Sequence, residues 1–393
     1  MNNNRCCDWA RVPATRVRRI YGVPPPSPPR EALARAFGGT ASRRGVLGAV
    51  ATTLLARQLP GAAPAATQGE TCRRGECPCP CGRPPCFLRT WGEEGSGPGQ
   101  FAFPEGVAVA PDGTVYVTDL NGHRVQAFDP AGTLLGTWGS RGSADGQFRA
   151  PISVAVAADG TVYVAEEGND RIQLFDRAVT YSGQWGSHGK DDGQFRDPTG
   201  VAVAPDGTVY VAESFNDRIQ YFDRAGTYLG QWGGDGRGEY EFFPTAVAVA
   251  PDGTVYVIDT NNARIEVFEA TGTFLGHWSG EGSAGQLIQP VSLAVAPDGT
   301  VYVTDLLGQR SVLYFDPTGT YLGRWGRNGS GAGQFVLPGG VAVAPDGQTV
   351  YVADSGNSRI QAFCVTALIA EERQGATPGA GTPAAPSPVA TPV

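Results

Sequence analysis

Six tryptophans, Trp91, Trp138, Trp185, Trp232, Trp278 and Trp325, are spaced by 47, 47, 47, 46 and 47 residues. A period of that length means that the chain repeats one supersecondary unit, which restricts the fold to a solenoid, an array or a propeller. Residues 193–232, GQFRDPTGVAVAPDGTVYVAESFNDRIQYFDRAGTYLGQW, show the unit most completely. Val201 and Val203 alternate with Ala202 and Ala204, the period-two pattern of a strand. Pro205-Asp206-Gly207 supplies a preset φ, a side chain that bonds back to the backbone and a residue for positive φ, hence a tight turn. Val209 opens a second strand, Arg218 a third and Tyr228 a fourth, with Asp223-Arg224-Ala225-Gly226 turning between the last two. Four short antiparallel strands per repeat describe one propeller blade.

The charge divides as sharply as the repeats recur. Residues 1–86 hold 13 Arg and four acidic residues, whereas residues 87–366 hold 15 Arg, one Lys and 32 acidic residues, a net −16 within a whole-chain net of −8. Such asymmetry separates an address segment from a body. Ser42-Arg43-Arg44-Gly45-Val46-Leu47 leads into an uncharged run from Val46 to Ala56, too short to span a bilayer. Small residues follow at Ala62, Ala63, Ala65 and Ala66, where a peptidase would cut. The segment resembles a bacterial twin-arginine export signal, apart from Gly48 where many such signals carry Lys. The expected organisation is a leader over 1–66, a Cys-rich linker over 67–86, the repeat body over 87–366 and a disordered Pro/Ala/Thr-rich tail over 367–393. The chain is therefore expected to be an extracytoplasmic, secreted or envelope-associated, monomer without stable membrane insertion.

The repeat resembles the NHL family through its Pro-x-Gly-Val-Ala-Val, Gly-x-Val-Tyr-Val-x-Asp and Asn-x-Arg-Ile-x-x-Phe elements, which cover about residues 87–364. Blades 1 and 5 depart at the Asn position, with Gly122 and Gly308, and the Gln-Phe element decays to Tyr240-Glu241-Phe242 in blade 4 and Gln286-Leu287 in blade 5. Inner strands are expected near Val107, Val154, Val201, Val247, Leu293 and Val341. The first tryptophan strand, residues 87–91, precedes them all, and the last third strand, residues 359–363, has none after it. The N-terminal strand therefore completes the last blade. The expected fold is all-β, a closed six-bladed propeller with four antiparallel strands per blade, which leaves no open end.

Cys86 and Cys364 flank the two strands that meet at this closure, and a Cys86–Cys364 disulfide is expected to stand in for the missing turn. Cys72, Cys77, Cys79 and Cys81 allow three disulfide pairings. A tetrathiolate metal site is their alternative, although the cluster lacks the paired spacing of zinc ribbons.

Six acids, Asp119, Glu166, Glu213, Asp259, Asp305 and Asp354, end the second strands, and six arginines, Arg124, Arg171, Arg218, Arg264, Arg310 and Arg359, follow five residues later each time. Identical copies argue for six structural ion pairs rather than one site. Specific function belongs where the repeats differ, on the face carrying the second-to-third loops and the inter-blade loops. The candidate partner-binding residues there are His123, Arg141, Glu167, Asp170, His188, Lys190, Asp191, Phe215, Asp217, Arg237 and Asn261. The expected partner is a protein, a peptide or a glycan. Nucleic acid, which intracellular members of the family bind through a basic face, is excluded by the acidic balance.

No catalytic motif is evident, and catalysis is the lesser reading. Related propellers include metal-dependent lyases and lactonases, which would place such a site at the channel mouth. Of the three histidines, His277 falls in an outer strand, and His123 with His188 make at most two ligands, short of a usual zinc set. No cofactor is expected, although calcium suits an acidic mouth and zinc the cysteine cluster.

Overall fold

The computed structural model describes residues 85–233, 242–280 and 285–365. The export-type segment, Cys72, Cys77, Cys79, Cys81, Arg237 and the tail lie outside these. Among the described residues, 24 strands form six four-stranded antiparallel sheets. The N-terminal strand β1 spans Cys86–Trp91. Blade 1 then comprises β2 (Pro104–Val109), β3 (Val115–Asp119), β4 (Arg124–Phe128) and β5 (Leu134–Trp138). Blade 2 comprises β6 (Pro151–Val156), β7 (Val162–Glu166), β8 (Arg171–Phe175) and β9 (Tyr181–Trp185). Blade 3 comprises β10 (Pro198–Val203), β11 (Val209–Glu213), β12 (Arg218–Phe222) and β13 (Tyr228–Gly233). Blade 4 comprises β14 (Pro244–Val249), β15 (Val255–Asp259), β16 (Arg264–Phe268) and β17 (Phe274–Trp278). Blade 5 comprises β18 (Pro290–Val295), β19 (Val301–Asp305), β20 (Ser311–Phe315) and β21 (Tyr321–Trp325). Blade 6 comprises β22 (Pro338–Val343), β23 (Thr349–Asp354) and β24 (Arg359–Cys364), completed by β1. No helix among the described residues is long and apolar enough to cross a membrane.

Each inner strand begins at a proline, three residues before the valine or leucine that opens the alternation, and each carries a register shift within its first residues. Proline is tolerated there because it is the first residue of a strand whose inner side has no partner strand. The turns follow the expected chemistry. Ala204 N–H donates to Thr208 O at 2.8 Å, Thr208 N–H donates to the Asp206 carboxylate at 2.8 Å, and Gly207 takes φ +95°.

The core lies between blades rather than within them. Six apolar clusters occupy the six blade junctions, each drawing on two neighbours, as where Tyr163, Ala165, Ile172 and Leu174 of blade 2 meet Val201, Val209, Val211 and Phe222 of blade 3. The tryptophans wedge these junctions. Trp185 of blade 2 lies with its ring centroid 5.5 Å from that of Phe222 in blade 3, and its ring occupies the space a Cβ at Gly226 would need, 2.6 Å away. Gly226 is therefore required twice, for its φ of +89° and for this close approach.

Strand β1 pairs with β24, with Trp91 opposite Ile360 and Cys86 opposite Cys364. Both cysteines are buried, and no S–S bond joins them in this structure. Removing residues up to Trp91 would strip blade 6 of its outer strand and the blade 6–blade 1 junction of an indole that packs on Phe128 and Tyr351. A chain starting at Gly92 is expected to lose cooperative unfolding in denaturant titrations and to self-associate through the bared β24 edge, seen by light scattering.

Candidate binding face

The loops of the variable face are tied down by side chains of the second and third strands. In blade 3, Arg218 Nε donates to Glu213 Oε1 at 2.6 Å, and its terminal nitrogens donate to the carbonyls of Lys190, Asp191 and Gln194 at 2.7, 3.1 and 2.8 Å. Gln220, two residues on, donates to the Gln194 carbonyl at 2.8 Å and accepts from Gly193 N–H at 2.8 Å. Asn216 completes the group by donating to Glu213 Oε2 at 2.6 Å and to Gly189 O at 2.9 Å. Burial pushes the Glu213 carboxyl up, against the opposing pull of Arg218. The inter-blade loop is thus lassoed by a buried acid, arginine and glutamine. Blade 2 repeats the arrangement with Glu166, Arg171 and Gln173, blade 1 with Asp119, Arg124 and Gln126, and blade 6 with Asp354, Arg359 and Gln361.

Two blades depart from it. In blade 4 the ion pair Arg264–Asp259 persists at 3.1 Å, but Glu266 replaces the glutamine and also accepts from Arg264. Blade 5 breaks the expected Asp305–Arg310 pair. Its connection is one residue longer, so Ser311 stands opposite Asp305 and Arg310 is forced into the left-handed region at φ +53°. Arg310 donates instead to Asn328 Oδ1 at 2.7 Å, and Asp305 accepts the backbone N–H groups of Ile288, Gln289 and Gly308 at 2.7, 3.2 and 2.9 Å. Gly122 of blade 1 has a different cause: a Cβ there would collide with the Asp119 carboxylate.

Several candidate residues turn out to fasten the face rather than to project from it. His123, Asp170 and Asp217 hold the same position before the arginine, all at positive φ of 51–53°. His123 Nδ1 accepts Ala150 N–H at 3.1 Å and Asp170 Oδ1 accepts Asp197 N–H at 2.9 Å, each stapling one blade to the next. Burial, with the charges of Arg141 and Arg149, pushes the His123 imidazole down. Asp170 also pairs with His188 Nδ1 at 2.9 Å. Phe215 is buried beneath the Arg196 guanidinium, whose carbon lies 5.7 Å from the ring centre. Arg141, His188, Lys190, Asp191 and Asn261 are exposed, and Glu167 is half-buried with its N–H donating to Ala150 O at 3.2 Å. His123 and His188 serve different blade junctions, and among the described residues no three His, Cys, Asp or Glu side chains converge on a metal position.

A residue not foreseen from the repeat is Glu105, second in β2 where the other inner strands carry Ile152, Thr199, Thr245, Val291 and Gly339. It reaches into blade 6, where Ser355 Oγ donates to it at 3.2 Å, and the missing side chain of Gly339 makes its room. Burial, and to a lesser degree the charge of Glu167, push its carboxyl to about 7, against the Ser355 hydrogen bond. The signal in the sequence was an acid interrupting a position otherwise small, β-branched or hydroxylic.

The NHL repeat family model matches residues 101–128, 195–222, 243–268 and 335–363, in blades 1, 3, 4 and 6, and together with the six-bladed architecture this supports that family. A solved streptogramin B lyase covers 70% of this chain and 97% of its own at 16% identity and a TM-score of 0.51. A protein of unknown function from Bacteroides thetaiotaomicron VPI-5482 covers 70% of this chain and 74% of its own at 15% identity and a TM-score of 0.52. At these identities the likeness is one of fold. No curated protein matches the chain.

Two outcomes follow from this geometry. Replacing Arg218 by Met strands the buried Glu213 and is expected to cost about 3–5 kcal/mol, whereas Arg310→Ala is expected to stay within about 0.5 kcal/mol, both by denaturant titration. Glu105 has a native pKa above that of an unfolded glutamate, so folding takes up a proton and stability falls as pH rises from about 4.5 to about 7. Unfolding curves of Glu105→Gln across that window are expected to lack this slope, gaining about 1–3 kcal/mol on the parent protein by pH 8.

Proposed function

We propose that this propeller is a recognition module, displayed outside the cytoplasm, that binds a protein, peptide or glycan through its variable loop face. The observation that supports it is the contrast between two layers of that face. The loop backbones are clamped by buried acid–arginine–glutamine groups, while Arg141, Lys190 and Asp191 project from them, differing blade by blade. Clamped loops lose little entropy on binding, which favours recognition of a partner over a fluctuating surface. Export is proposed from the leader, and with it a Cys86–Cys364 cross-link, for which the facing register is suitable. Mass mapping of exported protein in which either residue alkylates without prior reduction would reject the cross-link.

Glu105 supports a second reading, in which a carboxyl with a pKa near 7 at the channel mouth serves as a general acid or base. The fold likeness to a streptogramin B lyase makes a streptogramin B the first compound to try, its consumption followed by chromatography with Glu105→Gln as control. Calcium at the mouth or zinc at the cysteine cluster would register in metal analysis of the purified protein.

The recognition reading is tested by probing peptide and glycan arrays with the labelled protein and with a triple variant, Arg141→Glu, Lys190→Glu and Asp191→Lys. The expected result is loss of at least one array signal in the variant with unchanged thermal unfolding. Array binding that is absent, or indifferent to the three substitutions, would reject it.

A further inference from the structure

The mouth of the channel is unevenly furnished. One repeat position, the residue just after the buried Phe or Leu of each inter-blade loop, carries Ala102, Arg149, Arg196, Phe243, Ile288 and Val336 in blades 1 to 6. In blades 2, 3 and 6 this residue packs on the second residue of its own blade's second-to-third loop. Arg196 covers Phe215, a Cβ at Gly168 would meet Arg149 Cγ at 2.6 Å, and one at Gly356 would meet Val336 Cγ1 at 2.6 Å. In blade 5 the same pair is Ile288 and Leu307, both large, apolar and at least half exposed, at 50% and 61%. Arg149 and Arg196 are exposed too, and neither guanidinium pairs with a carboxylate among the described residues.

The ring order makes this a polarity across the mouth. Inner strands meet in the order β2, β6, β10, β14, β18, β22 and back to β2, so blade 5 stands opposite blade 2, and blade 3 is blade 2's neighbour. Arg149 of blade 2 therefore stands across the ring from Ile288 and Leu307 of blade 5, with Arg196 on the blade beside it.

We propose that the mouth binds an extended peptide segment that is acidic at one end and apolar at the other, its carboxylates on Arg149 and Arg196 and its apolar side chains on Ile288 and Leu307. The proposal rests on the recognition reading above and names its ligand class. Guanidinium groups donate to carboxylates bidentately, and an arginine already stacked on an aromatic ring is pre-organised to do so.

The test uses the purified full chain and fluorescently labelled Glu-Asp-Gly-Gly-Leu-Leu, with Lys-Arg-Gly-Gly-Leu-Leu and Glu-Asp-Gly-Gly-Ser-Ser as comparison probes, read by anisotropy. The acidic–apolar peptide is expected to bind at least about tenfold more tightly than either comparison probe. The double variant Arg149→Ala, Arg196→Ala is expected to lose about tenfold in affinity together with most of its salt dependence. The pair Ile288→Ser, Leu307→Ser is expected to lose a similar factor and keep the salt dependence. Arg149, Ile288 and Leu307 are exposed and should leave thermal unfolding unmoved, and Arg196→Met, which removes the charge but keeps the cover over Phe215, is the control for Arg196→Ala. Failure of the acidic–apolar probe to bind, a preference for the basic probe, or indifference to either variant pair would overturn the proposal. A glycan or peptide array signal that depends on Arg141, Lys190 and Asp191 but not on these four residues would leave the recognition reading standing and remove this one.

Discussion

Everything in this molecule depends on one blade burying its face against the next. A four-stranded sheet alone has two faces and cannot cover both. Here the second and third strands are almost wholly buried, while the outer strands and most of the inner strands are only half so, because the former lie mid-blade with neighbours on both sides. The clusters at the junctions are assembled from short valines, alanines and tyrosines that interdigitate, and the tryptophan of each outer strand closes the wedge at the rim, where blades splay apart. Since every blade needs two neighbours, the ring must close, and pairing β1 with β24 joins the chain's ends into one blade.

Packing sets the ring but leaves the loops between blades without a hydrophobic reason to hold one shape. The acid, arginine and glutamine of each regular blade supply that reason. They present a set of donors to loop carbonyls and acceptors to loop N–H groups, all from strands the core already holds rigid. A buried carboxylate–guanidinium pair is poor value for stability alone, because desolvation offsets most of its attraction. Its use here is specificity of conformation, shown by the same loop bridge recurring as Glu94–Phe101, Arg141–Phe148, His188–Phe195 and Asn328–Phe335.

The architecture was legible in the sequence because it is written six times, and a period survives local departures. Blade count, closure and the ion pairs of five blades follow from spacing alone. Legibility fails where one residue changes register or direction. The Asp305-to-Arg310 spacing matches the other blades, yet the strand restarts at Ser311, since pairing is decided by which residue fits opposite Asp305 rather than by counting. Phe215 varies between repeats as a binding residue would, but variation does not report burial, and an arginine from another segment covers it. His123 and Asp170 looked exposed because they occupy a loop. Positive φ there turns their side chains back onto the next blade's N–H groups.

The same departures explain how a symmetric scaffold acquires direction. A ring of identical blades would present a six-fold repeated surface, suited to an ion on the axis but not to an oriented chain. Blade 5 has traded the arginine and glutamine of its clamp for Ser311 and Leu313. At the same mouth position where blades 2 and 3 hold Arg149 and Arg196, it exposes Ile288, beside Leu307. Glu105 adds a further asymmetry, since only β2 puts an acid second in an inner strand, and only blade 6 has the glycine pair, Gly339 and Gly340, that lets it lie down. Of these changes, Leu313 joins the cluster between blades 4 and 5, whereas Ile288 and Leu307 stay at the surface. The departures at Ile288, Leu307 and Glu105 thus give one side of the ring a character that the repeat alone would not.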